Sequence, residues 1–292
     1  MLGIVTGLKS EAKLLKGLDL ACVSTGGRAH IARAKIARLI DRGATGLISF
    51  GIAGGISPGL VQGDLIIADG VATESGERWA THGPWFDAVL AEVVPLRKRS
   101  NDVPHSAASG RAEGHSTPER HPGLAPGAIP QEPERRDSGS RGQGRPGPGM
   151  TVGVGRGGST TAPRDPHMPL TGTGLILGHD TILGTVEQKI AAYKATGALT
   201  VDMESHHVAR AAAEQGLPFL AIRAVSDTAG QILPAVMATF VDEFGQTKMS
   251  AVLRALISGR ISLRELLAAG RASKRAHQSL FRCRRAIATL QQ

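Results

Sequence analysis

Aromatic residues are scarce in this chain of 292 residues, with two Trp, one Tyr and six Phe. Cysteine is scarcer still. Cys22 and Cys283 lie far apart and offer no disulfide framework, which suits a reducing compartment. No run of about eighteen apolar residues is present, so no segment reads as a membrane-spanning helix. The start, Met1 to Val5, enters apolar sequence without a basic region, predicting no secretion signal and a cytoplasmic location. RNP, zinc-finger and P-loop patterns are missing, as is H-E-x-x-H spacing. Asp202, Glu204, His206 and His207 are the nearest thing to a metal set. Neighbouring histidines on a helix are expected to point apart, so no metal is expected. Gly55-Ile56-Ser57-Pro58-Gly59 matches G-x-S-x-G, but Pro58 lacks the N–H that an oxyanion hole needs at that position.

Charge is unevenly spread. The formal net charge is +9. Residues 97–170 hold 11 Lys and Arg against 7 Asp and Glu, and residues 251–292 hold 9 against 1. The remainder is therefore slightly acidic, and a nucleic-acid partner is not expected. Residues 97–170 also contain 11 of the 16 prolines and 13 of the 38 glycines, with no Phe, Trp or Tyr. Such a stretch cannot bury enough apolar area to offset its conformational entropy, and a disordered insert is expected there. The organisation read from the sequence is a discontinuous domain over 1–96 and 171–250, the insert 97–170, and a basic amphipathic helical tail over 251–292. Val252, Leu256, Leu263, Leu266 and Leu267 recur in that tail at helical spacing, among arginines. It could lie on an anionic membrane, dock on a partner or simply cover the side of the domain.

Two acidic residues follow apolar runs that read as buried strands. Ala198 to Val201 leads to Asp202-Met203-Glu204, and Phe219 to Ile222 leads to Ala224-Val225-Ser226-Asp227. Met203 to Gln215 has helical spacing and stops at Gly216-Leu217-Pro218. Strand, helix and strand in about thirty residues predict a βαβ unit with parallel strands. Glu204 and Asp227 would then face one cleft beyond the strand ends. Glu204, in the first helical turn, is placed where the dipole favours an ionised carboxylate that accepts hydroxyl protons. Desolvation at a hydrophobic strand end favours an Asp227 able to deliver a proton. The competing reading has both acids as helix caps.

The remaining motifs surround this pair. Leu2 to Thr6 reads as a strand, followed by Gly7 and a short helix carrying Glu11. Leu20 to Ser24 reads as a strand entering Thr25-Gly26-Gly27-Arg28, whose glycine amides and guanidinium could meet an anion. A helix over 29–41 leads to a strand over 45–50 and the loop Gly51-Ile52-Ala53-Gly54-Gly55. Gly174 to Gly178 reads as a strand, and Val186 to Thr196 as a helix with Glu187 and Lys189 on its solvated side.

Val201, Met203 and Glu204 followed by Ser226-Asp227, with the G-x-A-G-G run at 51–55, resemble the purine nucleoside phosphorylase and methylthioadenosine/S-adenosylhomocysteine nucleosidase superfamily. The resemblance covers residues 2–95 and 174–285. It implies a three-layer αβα fold with a mixed, mostly parallel sheet. It also implies that Glu204 holds the ribose hydroxyls, that Met203 packs on the sugar, and that Asp227 protonates the purine near N7 with help from Ser226. Glu11 falls where nucleosidases orient the attacking water. Gly26, Gly27, Arg28 and Gly51 are the candidate phosphate or anion contacts. Relatives that use phosphate often carry an arginine and a Ser or Thr at the positions of Ser49 and Ile52, so water and inorganic phosphate both stay open as co-substrate. No cofactor is implied. Ile182 and Leu183 stand where relatives often stack an aromatic ring on the base. Relatives complete their pockets from a neighbouring subunit, which implies a dimer or higher homo-oligomer.

Val201 to His206 with Val208-Ala209, and Leu266 to Ser273, resemble the hopanoid-associated phosphorylases. The expected reaction is thus cleavage of the N-glycosidic bond of an adenine nucleoside of the adenosylhopane type, with peripheral membrane contact through the tail. Two alternatives are a methylthioadenosine/S-adenosylhomocysteine nucleosidase and a catalytically impaired descendant that binds surfaces.

Overall fold

β3, the longest strand of the sheet, decides where everything else lies. In this computed structural model, which describes residues 1–93 and 169–291, β1 (Leu2–Thr6), β2 (Ala21–Ser24), β3 (Gly46–Gly55), β4 (Leu65–Ala72), β5 (Arg78–Ala80), β6 (Thr171–Gly178), β7 (Thr200–Asp202) and β8 (Phe219–Asp227) form one sheet. The first half of β3 pairs in parallel with β1, and its far end pairs antiparallel with β7. Its other edge carries β8 in parallel. β8 in turn pairs with β4, β4 with β6, and β6 with β7. The path β3–β8–β4–β6–β7 therefore returns to β3 as a closed ring, with β1 and β2 extending one side and β5 the other. Most pairings are parallel, as expected.

Helices cover both faces, because β1, β3, β4 and β8 are apolar on both sides. The helices are α1 (Lys9–Leu14), α2 (Ala29–Asp41), α3 (Gly83–Val93), α4 (Val186–Thr196), α5 (Ser205–Glu214), α6 (Met249–Ile257), α7 (Leu263–Arg282) and α8 (Arg284–Thr289), of which α6 packs against residues 235–240 instead of the sheet. On one face Ile36 and Leu39 of α2 and Val208 and Ala212 of α5 pack with Val5, Leu47 and Ile66. On the other, Val89 of α3, Ala276 and Leu280 of α7 and Ile287 of α8 pack with Ile4, Phe50, Ile67 and Ile222. This is the three-layer αβα arrangement.

Three expectations are corrected here. β7 and β8 are not parallel neighbours. β7 runs antiparallel to β3 while β8 runs parallel to it, because β7 serves as the closing strand of the ring. The run 51–55 is strand rather than loop. The stretch 251–292 is not a separate tail, since Ala272, Ala276, Leu280, Cys283, Ala286 and Ile287 are buried in the core of the domain. Basic residues occupy only the outer face of α7, whose small inner residues let it approach the sheet. Leu263 and Leu267, at the start of α7, remain exposed. The insert expected at 97–170 lies, up to residue 168, outside the described residues. Among the described residues no helix is long and apolar enough to cross a membrane.

Candidate active site

Gly54 is the hinge point of the site. It stands in register with Val201 of β7 on one side and with Asp227 of β8 on the other. The β3–β8 register shifts at Ala53/Gly54, an irregularity that takes Ser226 out of the ladder at the mouth of a cavity. The closed ring thus places both acid-bearing strand ends beside one residue. The cavity there has a volume of about 760 Å³. Glu11, Gly26, Gly27 and Arg28 line it, with Ile182, Leu183, Met203, Glu204, Ser226 and Asp227. Ten of the eleven candidate residues from the sequence therefore share one cavity. Gly51 does not line it. A Cβ on Gly51 would lie 2.7 Å from both Arg223 Nη1 and Glu11 Oε1, so its role is to leave room behind those side chains.

Neither acid caps a helix with its side chain. Glu204 stands at the N-cap position just before α5, but its side chain makes no cap hydrogen bond. Asp202 does that work, with Oδ1 accepting from the amides of Glu204 (2.8 Å) and Ser205 (2.7 Å). No α-helix follows Asp227 directly.

Arg223 organises one end of the cavity floor. It lies in the middle of β8, is 1% exposed and escaped the reading of the sequence. Its Nε donates to Asp202 Oδ2 at 2.8 Å, and its Nη2 donates to Ser49 Oγ at 2.5 Å and Ser205 Oγ at 3.1 Å. Glu204 Oε2 lies 3.8 Å from Nη2. A charge inside an otherwise apolar strand is costly unless paired, and that was the available signal. Three buried acids share this cation. Burial opposes ionisation of Asp202, but the adjacent guanidinium wins and holds its carboxyl below the usual range. Glu204 is pushed up to about 7, by burial first and then by the charges of Asp202 and Glu11, with Arg223 only partly offsetting them. The helix-dipole expectation for Glu204 is thus outweighed by desolvation. Its Oε1 accepts from Thr25 Oγ1 at 3.0 Å. Burial also raises Glu11, against the amides of Ile52 and Leu8, which donate to its two oxygens at 2.8 and 2.7 Å.

Lys189 organises the other end. It was expected on the solvated side of its helix, yet it is 0% exposed. Its ammonium donates to Asp227 Oδ2 (2.6 Å) and to the carbonyls of Thr228 (2.9 Å) and Gln231 (2.8 Å). Ser226 Oγ lies 2.8 Å from Asp227 Oδ1 and 3.1 Å from the Ala53 carbonyl, so its single proton serves one at a time. Asp227 is therefore held by a cation on one oxygen and a hydroxyl on the other, rather than left in an apolar setting. No periodic signal marks Lys189, because α4 places it inward beneath a loop that reaches it only in the folded chain.

The anion contacts are weaker than expected. The Gly26 amide donates to the Gly7 carbonyl at 2.9 Å, and that of Gly27 to Thr25 Oγ1 at 3.3 Å. Both glycine donors are already engaged. Ser49 is likewise bound to Arg223 below the cavity. Ile182 is 44% exposed at the rim, whereas Leu183 is buried against Ile56 and Leu177. The histidines also depart from expectation. His206 and His207 do not point apart, since both Nε2 atoms lie 3.0 Å from Asp180 Oδ1. Burial, then the neighbouring His206, lowers His207 to about 4 despite Asp180.

Residues 160–258 match the family described as the phosphorylase superfamily. The fold is similar to that of the 5'-methylthioadenosine/S-adenosylhomocysteine nucleosidase of Neisseria meningitidis (TM-score 0.56, 13% identity, 100% of this chain and 99% of that one covered). It is also similar to the enzyme of that description from S. pneumoniae, solved with a transition-state inhibitor (TM-score 0.54, 16% identity, 98% and 99% covered). The S-adenosylhomocysteine nucleosidase of Streptococcus pyogenes is a third (TM-score 0.53, 17% identity, 97% and 94% covered). No curated protein matches the sequence closely enough to count as a relative. The superfamily resembled in the sequence is the one whose family model matches residues 160–258, and the solved structures share the three-layer fold.

Proposed function

We propose that this protein cleaves the N-ribosidic bond of an adenine nucleoside and releases adenine, with water as the nucleophile. One observation carries the reading. Gly54 stands in register with both acid-bearing strands, so Glu204 with Met203, and Asp227 with Ser226, line the same cavity as Glu11. Glu204 and Met203 form the sugar floor, and Asp227 faces the base. As the bond to C1′ breaks, positive charge grows on the ribose and negative charge on the purine, so a proton delivered at N7 lowers the barrier. That proton is drawn from the Lys189 ammonium through Asp227, which lies 2.6 Å away. Glu11 takes the proton that the attacking water loses, and its burial suits it to be a base. Adenine leaves neutral and the ribose gains a hydroxyl.

Water is favoured over phosphate because the Gly26 and Gly27 amides and Ser49 are already bonded within the protein. The 5′ group of the substrate is apolar in this reading. Leu233, Pro234, Ala235, Met237 and Val241 line the cavity, which suits a lipid-like substituent of the adenosylhopane type. A neighbouring copy of the chain is proposed to complete that rim.

Chromatography of adenine released from adenosine-type nucleosides, with 5′ groups from methylthio to long alkyl and with or without phosphate, tests this. Phosphate-independent release that improves with alkyl length is expected. Strict phosphate dependence overturns the choice of water, and no release from any nucleoside overturns the activity.

A further inference from the structure

We propose that Asp180, His206 and His207 bind a divalent transition-metal ion of the Zn²⁺, Co²⁺ or Ni²⁺ class at the rim of the cavity. Two imidazole nitrogens and one carboxylate oxygen form a donor set suited to these ions rather than to Mg²⁺ or Ca²⁺. The three ligand atoms lie within 4.8 Å of one another, and both Nε2 atoms stand 3.0 Å from the same Asp180 Oδ1. Bonds of about 2.0–2.2 Å to each ligand would need side-chain adjustments on the order of 1 Å. Asp180 can make them, because its side chain is 61% exposed while the two histidines are buried.

The histidines are also held ready. They are adjacent on α5, with ring centroids 3.8 Å apart. A Cβ on Gly178 would lie 2.3 Å from His206 Cβ, so this packing of β6 against α5 requires glycine there. Each ring makes its hydrogen bond through Nε2, and both go to one shared oxygen. Convergence of that kind is what a metal site needs. Three protein ligands leave a coordination position open, as sites that exchange water or bind a ligand do. Asp180 belongs to the loop that also carries Ile182 and Leu183 to the cavity, so an ion here fastens that loop to α5.

The test uses the full-length protein stripped of metal by chelation, and it does not depend on the activity proposed above. Titration with CoCl₂ should give one equivalent with visible absorption bands of an N/O-ligated ion. ZnCl₂ should displace it and raise the Tm. Because Asp180 is exposed, Asp180→Asn should fold normally, which circular dichroism checks. It should weaken binding at least about tenfold, since even outer-sphere partners of metal ligands contribute that much. His206→Gln/His207→Gln should abolish binding. No stoichiometric Co²⁺ spectrum, or binding undiminished in these variants, overturns the proposal in favour of a hydrogen-bonded latch.

Discussion

The two ends of the cavity floor use the same device in different proportions. At one end a single buried cation, Arg223, serves Asp202, Glu204 and Glu11. At the other, Asp227 is the one acid paired with Lys189 among the described residues. Three acids on one guanidinium cannot all be ionised without a large desolvation cost, so protons are retained there, with Glu204 raised to about 7. A one-to-one pair has no such surplus, but its ammonium sits where a proton can be passed on. In the proposed reading, the Arg223 end is thereby a reservoir of hydrogen-bonding carboxyls for the sugar, and the Lys189 end a proton conduit to the base.

The largest effect should come from removing the shared cation. Arg223→Met leaves three buried acids uncompensated and should cost about 3–5 kcal/mol at pH 7, read by urea unfolding. A loss below about 1 kcal/mol would show that the acids do not depend on Arg223, and the contrast between the two ends would fail.

Next comes the conduit. Asp227→Asn should lower adenine release by about 10²–10⁴-fold, the usual range for a lost general acid. Lys189→Met should lower kcat by at least about tenfold, with little change in KM. Lys189→Arg, which keeps the charge but delivers no proton, should not restore kcat. If it does, Lys189 acts by charge alone.

The sequence exposed the acids more readily than the cations that control them. Glu204 and Asp227 follow apolar runs and precede recognisable breaks, so local pattern finds them. Lys189 sits among ordinary helical polar residues, and only the fold shows that the carbonyls of Thr228 and Gln231 close over it. Arg223 was visible in principle as a lone charge in Phe219 to Val225, but its partners lie 18 to 174 residues away in sequence. The antiparallel run of β7 was equally hidden. The segment from β7 through α5 to β8 reads locally as a parallel unit, and only closure of the ring through β4 and β6 reverses one strand. For His206 and His207, helical geometry gives the direction of Cβ but not the convergence of two side chains on the Asp180 carboxylate.

The proton surplus gives a smaller, pH-dependent effect. Glu204 titrates near 7 in the folded protein against an ordinary 4.5, so folding favours its protonated form. Its contribution to stability is fully present below about pH 4.5 and is lost as pH rises through about 7. Arg223, Asp202, Glu11 and Thr25 face it in both wild type and Glu204→Gln, so comparing the two isolates Glu204. Wild type should lose on the order of 1–3 kcal/mol relative to the variant between pH 5 and 7.5 in urea titrations. A constant difference would mean that Glu204 stays ionised, making the two ends alike.

The smallest expected effect lies at the rim, where neither end holds a charge. Ile182 is 44% exposed and lines the cavity, and an aliphatic side chain packs on a purine without preferred geometry. Ile182→Phe should let a ring stack on the base. A stacked aromatic pair contributes about 0.5–1.5 kcal/mol beyond its buried area, which corresponds to a fall in KM of roughly two- to tenfold. Since the ring meets the base equally in the bound and reacting states, kcat should hardly change. A change in kcat instead of KM would place Ile182 nearer the proton path than the rim. The conduit at Asp227 and Lys189 would then extend outward along the 179–184 loop.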